Sequence, residues 1–383
     1  MKLIYRELLR PSILLLYLGF FLTGGMTVMP GVILPWVARN FHLTDSQSGT
    51  LLFVLFIGSS LGALLVRQRF RLTLAVGYLL IPLAGLLFAR WPGSFGLIAI
   101  GLYGLGLGLA MTSTSMLIGR IYPQNRGACF AFLNFCWSLG ATLCPILLAR
   151  PGIHLTLSEL GYGIALLAAP FTVVAFLSRY EARQALDGPR SSSQATFLLI
   201  ALFGLACFLY VGAENVVGGW LTMFTLRTVA WSYRQSTFTT AAFWAALLAG
   251  RGLTPLILAR TSEVRLLRVS IVGLIVGLTL LVSAHAGLTL VVAACLTGLA
   301  LAPIYPLLLS LFLARIGESK HSGWVFMLAG VGGAVLPWLT GVVSSQWHSL
   351  RTGLFIALAA AIVLFVLVAR SSISGSARRQ LSL

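Results

Sequence analysis

The stretch Tyr210-Val-Gly-Ala-Glu214-Asn-Val-Val-Gly218-Gly219-Trp220 lies inside an apolar run that extends from about Ala195 to about Leu226. Such a run is long enough to cross a bilayer, since a spanning helix needs about 20 apolar residues. Glu214 is the one carboxylate, of eight in the chain, that lies within any such run. A carboxylate at membrane depth is costly, so it usually faces a bundle interior or a water-filled cavity. We predict that this is the working segment of a membrane transporter; the alternative is a neutral Glu214 that only hydrogen-bonds between packed helices.

The composition excludes an ordinary soluble domain. Hydrophobic residues make up 58% of the 383 residues and charged residues only 9%, and the mean hydropathy is +0.98. The net charge of +18 comes from basic residues scattered between apolar runs. No basic patch is long enough to follow the phosphates of a nucleic acid, so we expect no nucleic-acid partner.

Twelve apolar runs can be counted, and they predict an all-α membrane protein with 12 transmembrane helices. Their approximate ranges are 12–38, 47–66, 72–89, 95–119, 127–149, 159–178, 196–226, 236–259, 269–285, 288–314, 323–344 and 352–369.

The distribution of Lys and Arg predicts the orientation. With the N-terminus inside, 19 of the 26 basic residues fall in inner segments and 6 in outer ones, and Arg251 alone is left within a run. Cytoplasmic loops carry the excess of basic residues. Both termini are therefore predicted to face the cytoplasm, in a bacterial inner membrane.

The longest polar connection, residues 179–195, contains Gly188-Pro189 and a run of serines, which is typical of a flexible linker. It follows the sixth run. The chain is therefore predicted to divide into an N-terminal six-helix bundle (1–178), a cytoplasmic linker (179–195) and a C-terminal six-helix bundle (196–383).

The two halves carry matching features. Gln47-Ser48 opens the second run and Gln235-Ser236 opens the eighth, an offset of 188 residues. Gly140 and Gly332 each stand five residues before a proline, at an offset of 192. Two offsets near half the chain length predict a duplicated unit and hence two pseudo-symmetric bundles.

Candidate solute-binding residues lie in the runs that carry polar and aromatic side chains. A site for a small polar solute needs hydrogen-bonding groups and aromatic faces in an otherwise apolar cavity. The residues selected on this basis are Asn134, Trp137, Glu214, Asn215, Trp220, Trp244, Tyr305 and Trp324. The alternative is that they only pack helices together.

Glu214 and Arg251 are predicted to pair and to serve in ion coupling or gating. Glu214 lies 12 residues from the outer end of its run, about 18 Å of helix rise. Arg251 lies 15 residues from the same side, or about 22 Å. Pairing would ease the burial of both charges. The alternative is that Arg251 extends toward the inner face and never meets Glu214.

Twelve runs, a central linker and an internal repeat together resemble the Major Facilitator Superfamily over essentially the whole chain. Four stretches resemble its fucose permease and sodium–glucose transporter-like branch: Phe41–Gly49, Tyr210–Trp220, Gly298–Pro306 and Gly332–Trp338. The resemblance implies two bundles that rock around a central site. It also implies secondary transport of a small polar solute, with a sugar favoured, by alternating access.

The chain departs from that branch in its acidic residues. The fucose permease looks to an acidic residue in its first and fourth spans for proton coupling, and this chain has none in either. Coupling to H⁺ or Na⁺ would therefore fall to Glu214. The loop between the second and third spans, within Gly62–Arg71, also lacks the usual Asp of the superfamily.

Nothing in the sequence supports an enzyme. It has no GxxxxGK[ST] motif for ATP. The five histidines lie in five different loops, and the five cysteines lie in apolar runs without a CxxC spacing. We expect no cofactor, no metal site, and a monomer in the lipid bilayer.

Two other functions stay open from the sequence. The same fold could export amphipathic drugs or lipids, with the aromatic residues lining an adaptable pocket. A non-transporting membrane scaffold or sensor would show no flux and would tolerate replacement of Glu214. Uptake of labelled sugars into proteoliposomes, compared with protection of cells from toxic amphiphiles, separates import from export.

The topology can be tested with an Arg190→Cys variant. We expect a membrane-impermeant thiol reagent to label this cysteine in inverted vesicles and not in intact cells, because the basic bias places residues 179–195 inside. A C-terminal tag should be accessible from the same side. Labelling of the Arg190→Cys variant from outside intact cells would contradict the whole arrangement.

Overall fold

The computed structural model describes residues 11–66, 69–93, 95–122, 126–149, 156–178, 194–316 and 322–370. Over these residues it contains thirteen α-helices and no strand. The helices are α1 (Pro11–Asn40), α2 (Asp45–Leu65), α3 (Phe70–Arg90), α4 (Gly96–Ile121), α5 (Arg126–Leu148), α6 (Leu157–Leu177), α7 (Gln194–Val229), α8 (Tyr233–Leu258), α9 (Glu263–Ser283), α10 (Gly287–Leu301), α11 (Ile304–Ile316), α12 (Ser322–Trp347) and α13 (Leu350–Arg370). The predicted linker lies almost wholly outside the described residues.

These helices provide 12 segments long and apolar enough to cross a membrane, so the predicted fold class is confirmed. The tenth segment, Gly287–Phe312, consists of α10 and the first part of α11. The two helices are separated by a turn at Ala302-Pro303, where the proline ring removes a backbone donor and disfavours a continuous helix.

Most helix ends lie within about three residues of the predicted ranges, and the start of the ninth span is the exception. The predicted start was residue 269, but α9 begins at Glu263. The Ser262 side chain accepts a hydrogen bond from the Arg265 backbone amide and so caps the helix. The first turn is polar, so a count of apolar residues could not detect it.

The Gln-Ser pairs noted in the sequence start matching helices. Thr44 caps α2, and Gln47 at the third helical position accepts a hydrogen bond from the Thr44 backbone amide. Ser232 and Gln235 make the same reciprocal contacts at the start of α8. This arrangement, the capping box, satisfies amides that the first helical turn leaves without partners.

Two glycines show the same repeat in the packing. A Cβ atom at Gly140 on α5 would clash with the carbonyl oxygen of Phe21 on α1. A Cβ atom at Gly332 on α12 would clash with the carbonyl oxygen of Phe208 on α7. The first and fifth spans therefore pack as the seventh and eleventh do, which is the predicted pseudo-symmetry.

The connections between helices define two ends of the molecule. The Asp45 end contains residues 41–44, 230–232, 284–286 and 348–349, and the Arg260 end contains residues 259–262 and the C-terminal ends of α2 and α4. Buried apolar side chains form one cluster from the helices before residue 178 and a second mainly from those after residue 194. The closest packing between the two sets of helices is α2 on α12, α5 on α8 and α1 on α7. Which end faces the cytoplasm stays a prediction from the basic residues.

Gly140→Ala should lower the unfolding temperature in detergent, because the added methyl group meets the α1 backbone and overpacking costs about 1–3 kcal/mol. Gly163→Ala is the matched control, since a Cβ atom there has nothing within 4 Å. Alanine is also a better helix former than glycine by about 1 kcal/mol, so the control should be neutral or stabilising. Equal unfolding temperatures for the two variants would contradict the packing argument.

Candidate functional site

Glu214 on α7 and Arg251 on α8 meet between their helices. Arg251 Nη2 lies 3.7 Å from Glu214 Oε1, and the two side chains are 17% and 10% exposed. This distance is longer than the roughly 2.7–3.2 Å of an N–H···O hydrogen bond, so the contact is a loose charge pair. Either charge alone would cost about 2.5–3.5 kcal/mol at the centre of a membrane helix on insertion scales. The predicted contact is confirmed.

Arg251 also reaches across to the first half of the chain. Its Nη1 donates a hydrogen bond to Ser138 Oγ on α5 at 2.6 Å. The guanidinium carbon lies 5.6 Å from the centre of the Trp137 ring, within the range of a cation–π contact. Arg251 therefore links the two halves through hydrogen bonding and ring contact, while it faces Glu214 in its own half.

Aromatic side chains surround the charge pair. Trp137 and Trp244 meet edge to face, with centroids 5.6 Å apart. Tyr210 and Tyr305 stack at 5.6 Å. Tyr210 is one helical turn before Glu214, and Tyr305 lies within electrostatic range of both charges. The cluster thus combines flat aromatic faces, one cation and one anion.

Two polar groups in this cluster are buried without a hydrogen-bond partner among the described residues, the indole N–H groups of Trp137 and Trp244, whereas the Tyr210 hydroxyl faces Glu214. Buried polar groups are nearly always hydrogen-bonded. Both indoles lie in the aromatic cluster, where a bound polar solute could accept hydrogen bonds from them.

Two other candidates pack α7 against α12. Asn215 Nδ2 donates to the Gly333 carbonyl at 3.3 Å. Trp220 is fully buried, and its Nε1 donates to the Pro337 carbonyl at 3.0 Å. Asn215 Nδ2 and Trp220 Nε1 both donate to backbone carbonyls of α12. These two side chains therefore help to pack α7 against α12.

The last two candidates lie toward the Arg260 end. Asn134 on α5 is exposed and donates to the Phe130 carbonyl of its own helix at 2.9 Å. Trp324, near the start of α12, is 55% exposed. The structure therefore brings together Trp137, Glu214, Trp244, Arg251 and Tyr305, and it places Asn134, Asn215, Trp220 and Trp324 elsewhere. The roles of all of them stay predictions.

Sequence reasoning missed two residues of this cluster, Ser138 and Tyr210. Both had a signal in helical spacing. Ser138 follows Trp137 and lies one turn from Asn134, and Tyr210 lies one turn from Glu214. Residues four apart share a helix face, so the candidates already chosen pointed to both.

The Asp45 end is sealed between the two halves. Asp45 on α2 accepts two hydrogen bonds from Arg227 at the end of α7, both at 2.8 Å. It accepts a third from Ser344 Oγ on α12 at 2.5 Å. Tyr233 donates to the Val32 carbonyl across the same seam at 3.1 Å.

Glycines let the helix backbones touch along this seam. A Cβ atom at Gly31 on α1 would lie 2.6 Å from the Gly218 carbonyl oxygen on α7. A Cβ atom at Gly49 on α2 would lie 3.0 Å from the Trp338 carbonyl oxygen on α12. Helices that approach this closely leave no passage for a solute at the Asp45 end.

Toward the Arg260 end, α8 and α5 are more exposed. On α8, Thr254 is the one buried residue in the described stretch 251–258. On α5, Leu133 is the one buried residue in the described stretch 131–135. Glu214 and Arg251 therefore lie between the sealed Asp45 end and the more exposed part of α8.

No group of three or more His, Cys, Asp or Glu side chains in the described part of the chain could hold a metal ion.

Comparison with known proteins gives a family and a fold. The profile of the Major Facilitator Superfamily matches residues 16–321. A glucose/galactose transporter of Brucella abortus is 24% identical over 395 residues, which cover 94% of this chain and 93% of the relative. A putative glucose/galactose transporter of Helicobacter pylori is 22% identical, covering 88% of this chain and 90% of the relative.

Solved structures agree with the architecture. A D-xylose–proton symporter superposes with a TM-score of 0.72 at 17% identity, covering 94% of this chain and 97% of that chain. The transporter FucP, in its outward conformation, gives a TM-score of 0.63 at 18% identity, covering 94% of this chain and 98% of that chain. At these identities the likeness concerns the fold.

A double-mutant cycle tests the coupling of the two charges. Arg251→Ala should destabilise the protein more when Glu214 is present than in a Glu214→Gln background, because only the carboxylate is left as a buried charge. Neighbouring residues that interact show coupling energies of about 0.5–3 kcal/mol. Unfolding of all four proteins in detergent near neutral pH gives the value, and strictly additive effects would mean that the charges do not interact.

Proposed function

Because the chain belongs to the Major Facilitator Superfamily, we propose that it is a secondary transporter that carries a sugar together with a proton across a bacterial inner membrane. The family and its named relatives are transporters, so the chain is a transporter and not an enzyme. The support for a sugar is the printed names of the relatives, together with the aromatic faces and hydrogen-bonding groups around Glu214 and Arg251.

The observation that carries this proposal is the position of the charge pair. In transporters built from repeats, the solute and the coupling ion bind near mid-membrane where the repeats meet. Arg251 faces Glu214 and contacts Ser138 in the other half. A change of charge on Glu214 therefore alters the electrostatic environment of Arg251, which contacts the other half.

If the Arg260 end faces the cytoplasm, as the basic residues predict, the sealed Asp45 end faces outward, and we propose that the structure is an inward-facing state. The two bundles, residues 1–178 and 196–383, would rock about the central site with residues 179–195 as their cytoplasmic linker. One chain contains a whole site, so the monomer is the proposed functional unit.

Opening of the Asp45 end has to break the contact between Asp45 and Arg227. The Arg227 side chain is 44% exposed, whereas Asp45 is only 11% exposed and accepts two hydrogen bonds from Arg227. The helix packing at Gly31 and Gly49 contributes the rest of the seal. Opening of this end during a transport cycle therefore has to separate both the ion pair and the packed helices.

Glu214→Gln should retain exchange of labelled sugar across proteoliposome membranes and lose accumulation driven by an inward proton gradient, because glutamine resembles the protonated form and cannot release the proton. Glucose, galactose, xylose, fucose and the acidic sugar glucuronate are the probes. Glu159→Gln is the matched control, since Glu159 occupies a capping box in which glutamine serves equally well.

Undiminished gradient-driven accumulation by the Glu214→Gln protein would remove Glu214 from coupling. Absence of flux of any sugar in the unmodified protein would contradict the proposed function itself.

A further inference from the structure

From the geometry around Arg251 we infer that the site takes a sugar bearing one carboxylate, a uronate or an aldonate. This carboxylate would replace Glu214 as the partner of Arg251 when Glu214 binds the transported proton. The inference rests on the proposed function and names the substrate class of the same site.

The charge balance of the site limits the solutes that it can bind. A guanidinium stays protonated at any physiological pH, so Arg251 is always a cation. Its counter-ion in the structure is Glu214. If Glu214 takes up a proton, Arg251 is left as a buried charge without a partner, which is strongly unfavourable. A neutral sugar cannot restore the balance, whereas a sugar with one negative charge can.

No other titratable group takes over either role. The groups that face Glu214 are Tyr210 on its own helix, Arg251 on α8 and Tyr305 on α11. Residues 324–347 of α12 include no titratable side chain. The charged residues and tyrosines of α1 and α13, among the described residues, lie toward the helix ends or against α5: Tyr17, Arg39, Arg351 and Arg370.

The geometry of Arg251 permits the exchange of partners. Its contact with Glu214, at 3.7 Å, lacks a short hydrogen bond that would have to break. Its bond to Ser138, at 2.6 Å, holds one end of the guanidinium in place. The planar group carries five N–H donors and matches a carboxylate with two parallel hydrogen bonds. An entering carboxylate would therefore make better contacts than Glu214 makes.

The surrounding groups also favour an acceptor-rich solute. The indole N–H groups of Trp137 and Trp244 have no partner among the described residues, and an indole N–H can only donate. The unpaired polar groups of the site are thus mostly donors. The hydroxyl and carboxylate oxygens of a uronate can accept hydrogen bonds from these N–H groups.

A solute arriving from the Arg260 end meets Arg251 before Glu214. Beside Arg251, a Cβ atom at Gly252 would have nothing within 4 Å, and α8 is loosely covered beyond that point. Arg251 is the more exposed partner, at 17% against 10% for Glu214. Of the two charges in the pair, the cation is therefore the first that an anionic solute from this end encounters.

A single cation selects a single negative charge. A phosphate monoester carries about −1.5 to −2 at neutral pH, which would leave excess negative charge in the site after Glu214 is protonated. A carboxylate carries one negative charge. With one proton on Glu214, the net charge of the occupied site is therefore zero, the same as that of the empty site. We therefore assign the carboxylate class, and glucose 6-phosphate serves as the competing probe.

The test is calorimetric binding of D-glucuronate and D-galacturonate, compared with D-glucose, D-galactose and glucose 6-phosphate, to the purified full-length protein between about pH 5.5 and 7.5. A uronate stays ionised over this range, since carboxyl pKa values lie near about 4. We expect uronates to bind more tightly than neutral sugars. Their affinity should rise as the pH falls, by up to about tenfold per pH unit, because binding takes up one proton.

Two variants make the result specific to the pair. Glu214→Gln should bind uronates with little pH dependence, because glutamine does not compete for Arg251. The double variant Glu214→Gln with Arg251→Gln buries no charge, so it should fold, and it should lose the preference for uronates over neutral sugars.

The outcomes separate this inference from the proposed function. If neutral sugars bind and uronates do not, if glucose 6-phosphate binds most tightly, or if uronate affinity does not change with pH, the inference is wrong while sugar transport stands. If none of the five compounds binds, the inference and the proposed function both fail.

Discussion

A charge in the middle of a membrane needs a partner, and this constraint governs the centre of the molecule. Glu214 and Arg251 come from adjacent antiparallel helices and meet at 3.7 Å. Arg251 in turn makes its short hydrogen bond to Ser138 in the other half of the chain. The pair therefore holds α5, α7 and α8 in register. Any event that changes the charge of Glu214, whether proton or solute, changes the interaction that joins the halves.

The rest of the architecture places this pair at a boundary. On one side the helices pack backbone to backbone at Gly31 and Gly49, which leaves no passage. On the other side α8 is loosely covered from Arg251 onward. Well-packed interfaces tolerate little deformation, so helices packed in this way change between a few distinct arrangements and do not deform gradually. The two halves are built alike, since the contact of α5 with α1 at Gly140 recurs between α12 and α7 at Gly332. Two similar bundles of this kind can move against each other as units.

Much of this could be predicted from sequence, for identifiable reasons. Twelve spans follow from apolar length alone, and the meeting of Glu214 with Arg251 follows from helix rise and a short loop. The start of α9 at Glu263 was missed because its first turn is polar. The placement of Trp220 against Pro337 depends on the rotation of α7 about its axis, which composition does not define. The contact of Asp45 with Arg227 joins residues 182 positions apart, and it depends on how the two halves dock.

Proton-coupled transport through this site requires that Glu214 takes up a proton as the solute binds. Infrared difference spectroscopy of the purified protein, with and without a bound sugar or uronate, measures this directly, since protonated and ionised carboxyl groups absorb at different frequencies. The account predicts that solute binding produces a protonated-carboxyl band, and that this band is missing in the Glu214→Gln protein. A band of equal size in that variant, or solute binding with no change in any carboxyl signal, would contradict it.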